Sequence, residues 1–290
     1  MPKRLIRMGK LSARALARLR NARGFVFDMD GTLVLGDKSN HGLKPLPGAL
    51  EITACLSQHK IPFVLFTNGT ASTPQHYMEA LRAVGFCLEG DAVMTPAVSA
   101  ADYFQRHGYR RILVLGGEGL TKPLTDLGMD IIPAAGSPHA DAVLIGWFRE
   151  FTMPALEAAT HAVWNGAEAF SCSQSLFFAT ANGKALGTSR AISAMIRDLT
   201  GCRIHVIGKP SLDALRCAAR RLGVRTAELA VVGDDPSLEI PMAHRGGSLA
   251  IAVSTGIGGA DSFSHLPKSQ QPHILVHDVA ELLALYKGQA

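Results

Sequence analysis

Four apolar runs punctuate the chain, and each stops at a polar group: Gly24-Phe25-Val26-Phe27 at Asp28, Ile61 to Phe66 at Thr67-Asn68-Gly69, Ile204 to Gly208 at Lys209-Pro210, and Leu229 to Gly233 at Asp234-Asp235. Each run is short, rich in Val, Ile, Leu and Phe, and bounded by Gly or Pro, a pattern that predicts a strand buried on both faces of a parallel sheet. In open α/β sheets the ligand crevice lies at the carboxyl ends of the strands. Two carboxylates, a hydroxyl, an ammonium and a further carboxylate are therefore expected to converge there. That combination suits phosphate and a metal ion.

The intervening segments supply the crossovers. Pro45-Leu46-Pro47-Gly48 opens a helix predicted near Ala49 to His59, Thr73-Pro74 starts one running to about Val84, and Thr95-Pro96 starts another ending near His107-Gly108, with a short strand at Ala92 to Met94 before it. These βα units predict an α/β protein with a Rossmann-like, doubly wound parallel sheet. The stretch from Asn68 to Lys209 is too long for one crossover. It holds strand-like runs of its own at Ile112 to Leu115, Ile131-Ile132, Ala142 to Ile145, Ala169 to Ser173 and Phe177-Phe178, and a helix from about Pro154 to Val163. An inserted α/β cap domain is expected at 108–186, between core segments 24–107 and 187–290. A helical period from Thr188 to Leu199 leads into the strand expected to deliver Lys209.

Charge alters the picture at one end only. Of 29 Lys and Arg residues, eight fall in residues 1–23, which carry no acid, so the remaining chain has 21 basic against 24 acidic groups. The basic extension is read as a short helix with Leu5, Met8, Leu16 and Leu19 packed beside the first strand; organelle targeting and contact with anionic lipid are its other readings. Only aliphatic residues separate its charges, so no nucleic-acid function is expected. Five scattered cysteines without CxxC spacing point to a reducing compartment, and no apolar stretch is long enough for a transmembrane segment. The expected location is cytoplasmic.

Asp28 and Asp30, one residue apart at a strand end, repel each other unless a cation lies between them. Carboxylates, a carbonyl and water suit Mg²⁺, which keeps several waters and accepts phosphate as a ligand. Asp28 is then placed to attack phosphorus, and Asp30 to protonate the leaving oxygen and afterwards activate water. Thr67 and the amides near Asn68 suit phosphate oxygens, and Lys209 supplies a positive charge for the transition state. Asp234 completes the metal shell, with Asp235 beside it and Glu239 able to bond a metal-bound water or Lys209. The group Gly116-Gly117-Glu118-Gly119 lacks a GxGxxG fingerprint and is read as a turn. His139, His161 and His205 show no ligand spacing.

The segments DMDGT, TNGT, GKP and GDD, in that order, resemble the four motifs of the haloacid dehalogenase superfamily. PLPGA, VLFTNGT, ADAVLIG, NGAEAF and VIGKPS resemble its type IIA, NagD-like branch with a C2 cap, and the similarity runs from about Gly24 to at least Gly256. The resemblance implies a Mg²⁺-dependent phosphatase with Asp28 as nucleophile and metal ligand, Asp30 as acid/base with its carbonyl on the metal, Thr67, Asn68 and Lys209 on phosphate, and Asp234 as metal ligand. Its substrates would be small phosphorylated metabolites such as nucleotides, sugar or glycerol phosphates, phosphoglycolate or pyridoxal phosphate. Phosphotransfer, action on phosphoproteins, and a catalytically quiet binding or scaffold role are the alternatives. Two departures stand out. Glu239 and Leu238 replace the branch's usual Asp and Thr, and Cys172-Ser173-Gln174-Ser175 replaces a TNPD-type segment. Trp147, Arg149, Ser173 and Ser175 are the expected specificity residues of the cap, which also offers a surface for a homodimer.

Overall fold

The computed structural model describes residues 12–36, 43–180, 183–256 and 259–289. Six parallel strands form the first sheet, in the order Ile274–Val276, Leu249–Val253, Leu229–Gly233, Gly24–Asp28, Phe63–Phe66 and Val93–Met94. The three predicted strands Gly24–Asp28, Phe63–Phe66 and Leu229–Gly233 lie side by side at its centre. Their residues are almost all buried, which explains runs without polar alternation. One face packs Phe25, Phe27 and Leu65 against helices Ala49–Gln58, Pro74–Ala83 and Val279–Lys287; the other packs Val26, Val64 and Val231 against Leu212–Leu222 and Glu239–Gly246.

A second parallel sheet has five strands, in the order Ile204–Val206, Glu168–Ser171, Ala142–Ile145, Arg111–Leu115 and Asp130–Ile132. It too is covered on both faces. Pro96–His107 and Glu118–Asp126 pack on one side through Ala97, Ala100, Phe104 and Leu120, and Met153–Trp164 and Thr188–Thr200 on the other through Ala159, Ala162, Ile192 and Ile196. A separate antiparallel hairpin joins Phe177–Thr180 to Gly183–Leu186.

This pairing corrects the sequence reading in one respect. Ile204–Val206, expected in the core beside the catalytic strands, is the half-buried edge of the second sheet, and the helix before it packs there too. The second unit therefore extends by packing from Pro96 to Ile207, wider than 108–186. A short apolar run carries no mark of which sheet edge it will join. Gly116-Gly117-Glu118-Gly119 is also more than a turn, since Gly117 immediately precedes the helix Glu118–Asp126.

At the start, Ser12 caps the helix Ala13–Arg20, whose Leu19 is fully buried in the same cluster as Phe25. Arg18 donates to the Gly247 carbonyl at 2.7 Å. Leu5 and Met8 lie outside the described residues.

Candidate active site

At the carboxyl end of Gly24–Asp28 the chain turns sharply. Gly31 N–H donates to the Val34 carbonyl, and Leu33 and Val34 N–H donate back to the Met29 carbonyl. Thr32 Oγ1 donates to Asp28 Oδ2 at 3.2 Å, and Thr255 Oγ1 clamps the Gly31 carbonyl at 2.6 Å. The turn leaves Asp28 buried and Asp30 exposed at the rim.

Lys209 is the pivot of the site. Its Nζ donates to Asp28 Oδ1 and lies 2.7 Å from Glu239 Oε1, with Lys209 and Glu239 almost wholly buried. It also sits 5.5 Å from the centre of the Phe66 ring, a further favourable surrounding for a cation. Burial alone would drive the proton off Lys209, but the charges of Asp28 and Glu239 outweigh it and raise its pKa. Burial pushes Glu239 upward, against the opposing charge of Lys209. Removing either member would strand a buried charge. Glu239 thus meets Lys209. Gly233 leaves the room, because a Cβ there would overlap Glu239.

Asp30 is raised from 3.8 to about 6, first by the crowding of protein around its carboxylate and then by the charge of Asp28, with Lys209 and Thr67 opposing. Thr67 Oγ1 donates to Asp30 Oδ2 at 3.4 Å and accepts from Gly69 N–H at 3.0 Å. Asp234, at the end of Leu229–Gly233, is buried against the Asp28–Val34 turn: a Cβ on Gly31, whose φ is +86°, would lie 2.7 Å from Asp234 Oδ2, and one on Gly256 would overlap it. Asp235 holds the following turn by accepting from Ser237 N–H and Oγ at 2.7 and 2.6 Å.

Asn68 turns its side chain to Lys209. Its side-chain amide donates to the Lys209 carbonyl at 3.0 Å and accepts from Lys209 N–H at 2.9 Å. With both ends of the carboxamide engaged, only its main chain is left for phosphate.

Four carboxylates thus surround one ammonium. Hard oxygen donors in excess negative charge, with glycines on two sides of Asp234, fit a small divalent cation held by Asp28, Asp234 and the Asp30 carbonyl. Among the described residues no three His, Cys, Asp or Glu side chains form a finished ligand cluster.

The specificity residues expected in the second unit are spread more widely. Trp147 follows Ala142–Ile145; its N–H donates to Thr70 Oγ1 at 2.9 Å and its indole N–H to the Leu186 carbonyl at 3.3 Å. Arg149 is exposed, with its main-chain N–H on Glu150. Ser173 is buried and donates to Ser175 Oγ at 3.1 Å, so these two hydroxyls engage each other. Thr70, Thr255 and Gly256 were not singled out as site residues from sequence. The adjoining TNG turn could have drawn attention to Thr70, whereas nothing in the VSTGIGG segment marks its approach to Asp234.

Haloacid dehalogenase-like hydrolases match residues 25–130, and a second, HAD-hydrolase-like match covers 206–282. An acid sugar phosphatase of Staphylococcus epidermidis is 30% identical over 240 residues, 82% of this chain and 89% of that one. Among solved structures, a 4-nitrophenylphosphatase of Thermotoga maritima superposes with a TM-score of 0.82 at 26% identity, covering 94% of this chain and 99% of its own. NagD of E. coli K-12 has the same fold, with a TM-score of 0.78 at 24% identity over 90% and 98% of the two chains. The chain belongs to the haloacid dehalogenase-like hydrolases. Within that family it is a phosphatase, a phosphoric monoester hydrolase. No helix among the described residues is long and apolar enough to cross a membrane.

Proposed function

We propose that this enzyme hydrolyses small phosphorylated metabolites, sugar phosphates foremost, with Mg²⁺ and through a phosphoryl group carried on Asp28. The observation that carries the proposal is Lys209 bonded to Asp28, with Asp30 two residues on and held by Thr67. Asp28 attacks phosphorus as the bond from phosphorus to the ester oxygen breaks, and Asp30 gives that oxygen a proton, releasing the alcohol. Asp30, now a carboxylate, takes a proton from water; the water oxygen attacks the phosphorus, releasing inorganic phosphate and restoring Asp28. Lys209 and Thr67 meet the phosphoryl oxygens as their charge rises. Bound Mg²⁺, held by Asp28, Asp234 and the Asp30 carbonyl, supplies charge neutralisation for phosphate.

Asp30's elevated pKa supports its acid role, because part of it keeps a proton near neutrality. The sugar-phosphate preference rests on the name of the Staphylococcus epidermidis relative. Trp147 and Arg149, at the end of the second sheet's central strand, are the proposed contacts to the rest of the substrate. Five unpaired cysteines support a reducing, cytoplasmic setting.

The test is phosphate release from sugar, nucleotide and glycerol phosphates, phosphoglycolate and pyridoxal phosphate, with and without Mg²⁺, beside Asp28→Asn. The expected result is metal-dependent release that falls on the order of 10⁴-fold in the variant. Release that persists in Asp28→Asn would overturn the nucleophile assignment, and the ranking of substrates would correct the class.

A further inference from the structure

Lys209 is delivered to the active site by the second sheet, not by the sheet that carries the carboxylates. Among the described residues Ile204–Val206 pairs only with Glu168–Ser171, and Ile207 packs in the second unit's core with Ala97 and Phe170. No ladder hydrogen bond of the first sheet therefore fixes where Lys209 stands relative to Asp28. The link lies elsewhere: Asn68, at the end of Phe63–Phe66, grips both the N–H and the carbonyl of Lys209. Only one orientation of the carboxamide satisfies both groups, so the pair fixes the rotation of the Lys209 main chain as well as its distance.

The approach is crowded in a way that leaves little alternative. A Cβ at Gly208 would overlap the Cys172 carbonyl and lie 2.7 Å from Asn68 Oδ1. Gly208 thus lets the chain pass between the end of Glu168–Ser171 and the Asn68 side chain. Beyond Lys209, Ser211 caps Leu212–Leu222 and returns the chain to the first sheet's helices. Lys209 sits at the point of transfer between the two units, and Asn68 is the first-sheet side chain that grips its main chain.

We propose that Asn68 is a positioning residue for Lys209: it registers the main chain leaving the second sheet against the first sheet, so that the ammonium reaches Asp28. The inference rests on the proposed phosphatase chemistry. It separates Asn68 from its neighbour Thr67, whose hydroxyl is directed to phosphate, although the two share one turn. Alanine at 68 removes both hydrogen bonds and none of the groups that touch substrate through their side chains.

The experiment is a double-mutant cycle between Asn68→Ala and Lys209→Met. Its readouts are turnover of 4-nitrophenyl phosphate and calorimetric binding of orthovanadate, both in Mg²⁺, with thermal melts of every variant. In the otherwise native enzyme Asn68→Ala is expected to lower kcat by about 10- to 100-fold, the scale on which misplacing a catalytic group acts, and to weaken orthovanadate. In the Lys209→Met background it should change either quantity by less than about twofold, because a residue acting through a partner has nothing left to act on. Equal losses in both backgrounds, or a native kcat in Asn68→Ala, would overturn the inference. A native enzyme without turnover would instead overturn the phosphatase chemistry beneath it. Where Asn68→Ala melts below the assay temperature, Asn68→Ser is read by the same criteria, since its shorter hydroxyl cannot bridge the N–H and the carbonyl of Lys209 and adds no charge beside the phosphate site.

Discussion

The two sheets are built alike and used differently. Both are parallel, and both are covered by helices on each face. The first sheet's loops carry buried charge: Asp28 and Asp234 lie within a few per cent of full burial. The second sheet's central strands end at neutral groups, with Ser173 on Ser175 and Trp147 on Thr70 of the first sheet's loop, and only its edge strand sends a charge, Lys209, into the first sheet's site. Buried charge without full compensation is costly and is kept where chemistry uses it. Architecture alone does not locate a site; the unbalanced electrostatics of one set of strand ends does.

Three perturbations test that contrast, at the first sheet, at the seam and at the rim. The largest effect is expected from Gly256→Ala, whose methyl would displace the Asp234 carboxylate. The Mg²⁺ concentration giving half-maximal turnover should rise about 10- to 100-fold; an unchanged metal titration of initial rates would remove Asp234 from the metal shell. At the seam, Thr70→Val removes the bond from Trp147 N–H to the Thr70 hydroxyl. The expected cost is about 1–2 kcal/mol, seen as a melting point lowered by roughly 2–5 °C. Turnover should suffer less than in any variant of the charged residues, and an unchanged melt would mean that this bond does not tie the two units.

The smallest effect is a pH dependence at the rim. Asp30 titrates at about 6 in the fold against 3.8 in an unfolded chain. The folded protein therefore binds the extra proton between those values, and its stability falls as pH rises from about 4 to about 6. Asp30 is partly open to solvent, so screening holds the change below ~1 kcal/mol. Urea denaturation of the metal-free protein across that range should show a slope that Asp30→Asn abolishes; the same slope in both proteins would assign it to another group.

The legibility of the two sheets differs for the same reason as their use. Gly24–Asp28 and Leu229–Gly233 could be read because burial on both faces demands unbroken apolar runs, and the chemistry demands carboxylates where they stop. The partner sheet of Ile204–Val206 could not, because edge pairing depends on geometry reached only after the helices pack. Glu118–Asp126 was obscured by its internal Pro123, which argues against helix locally yet is buried within the folded helix. The grip of the Asn68 side chain on Lys209 could not be read either. A carboxamide both donates and accepts, and its residue type does not distinguish phosphate from a neighbouring main chain.

The central pairing of the first sheet joins Gly24–Asp28 to Leu229–Gly233, two segments from nearly opposite ends of the chain. The second sheet is drawn from one continuous stretch, Arg111 to Val206. During synthesis Asp28 emerges early and waits for Asp234, while the intervening unit has its whole sheet in hand before the last core strands are made. A polymer loop of that length adds little to the equilibrium cost of closure, since each doubling costs only ~0.6 kcal/mol. Its weight falls on the order of events: the pairing of Gly24–Asp28 with Leu229–Gly233 cannot begin until every strand of the second sheet has already been made.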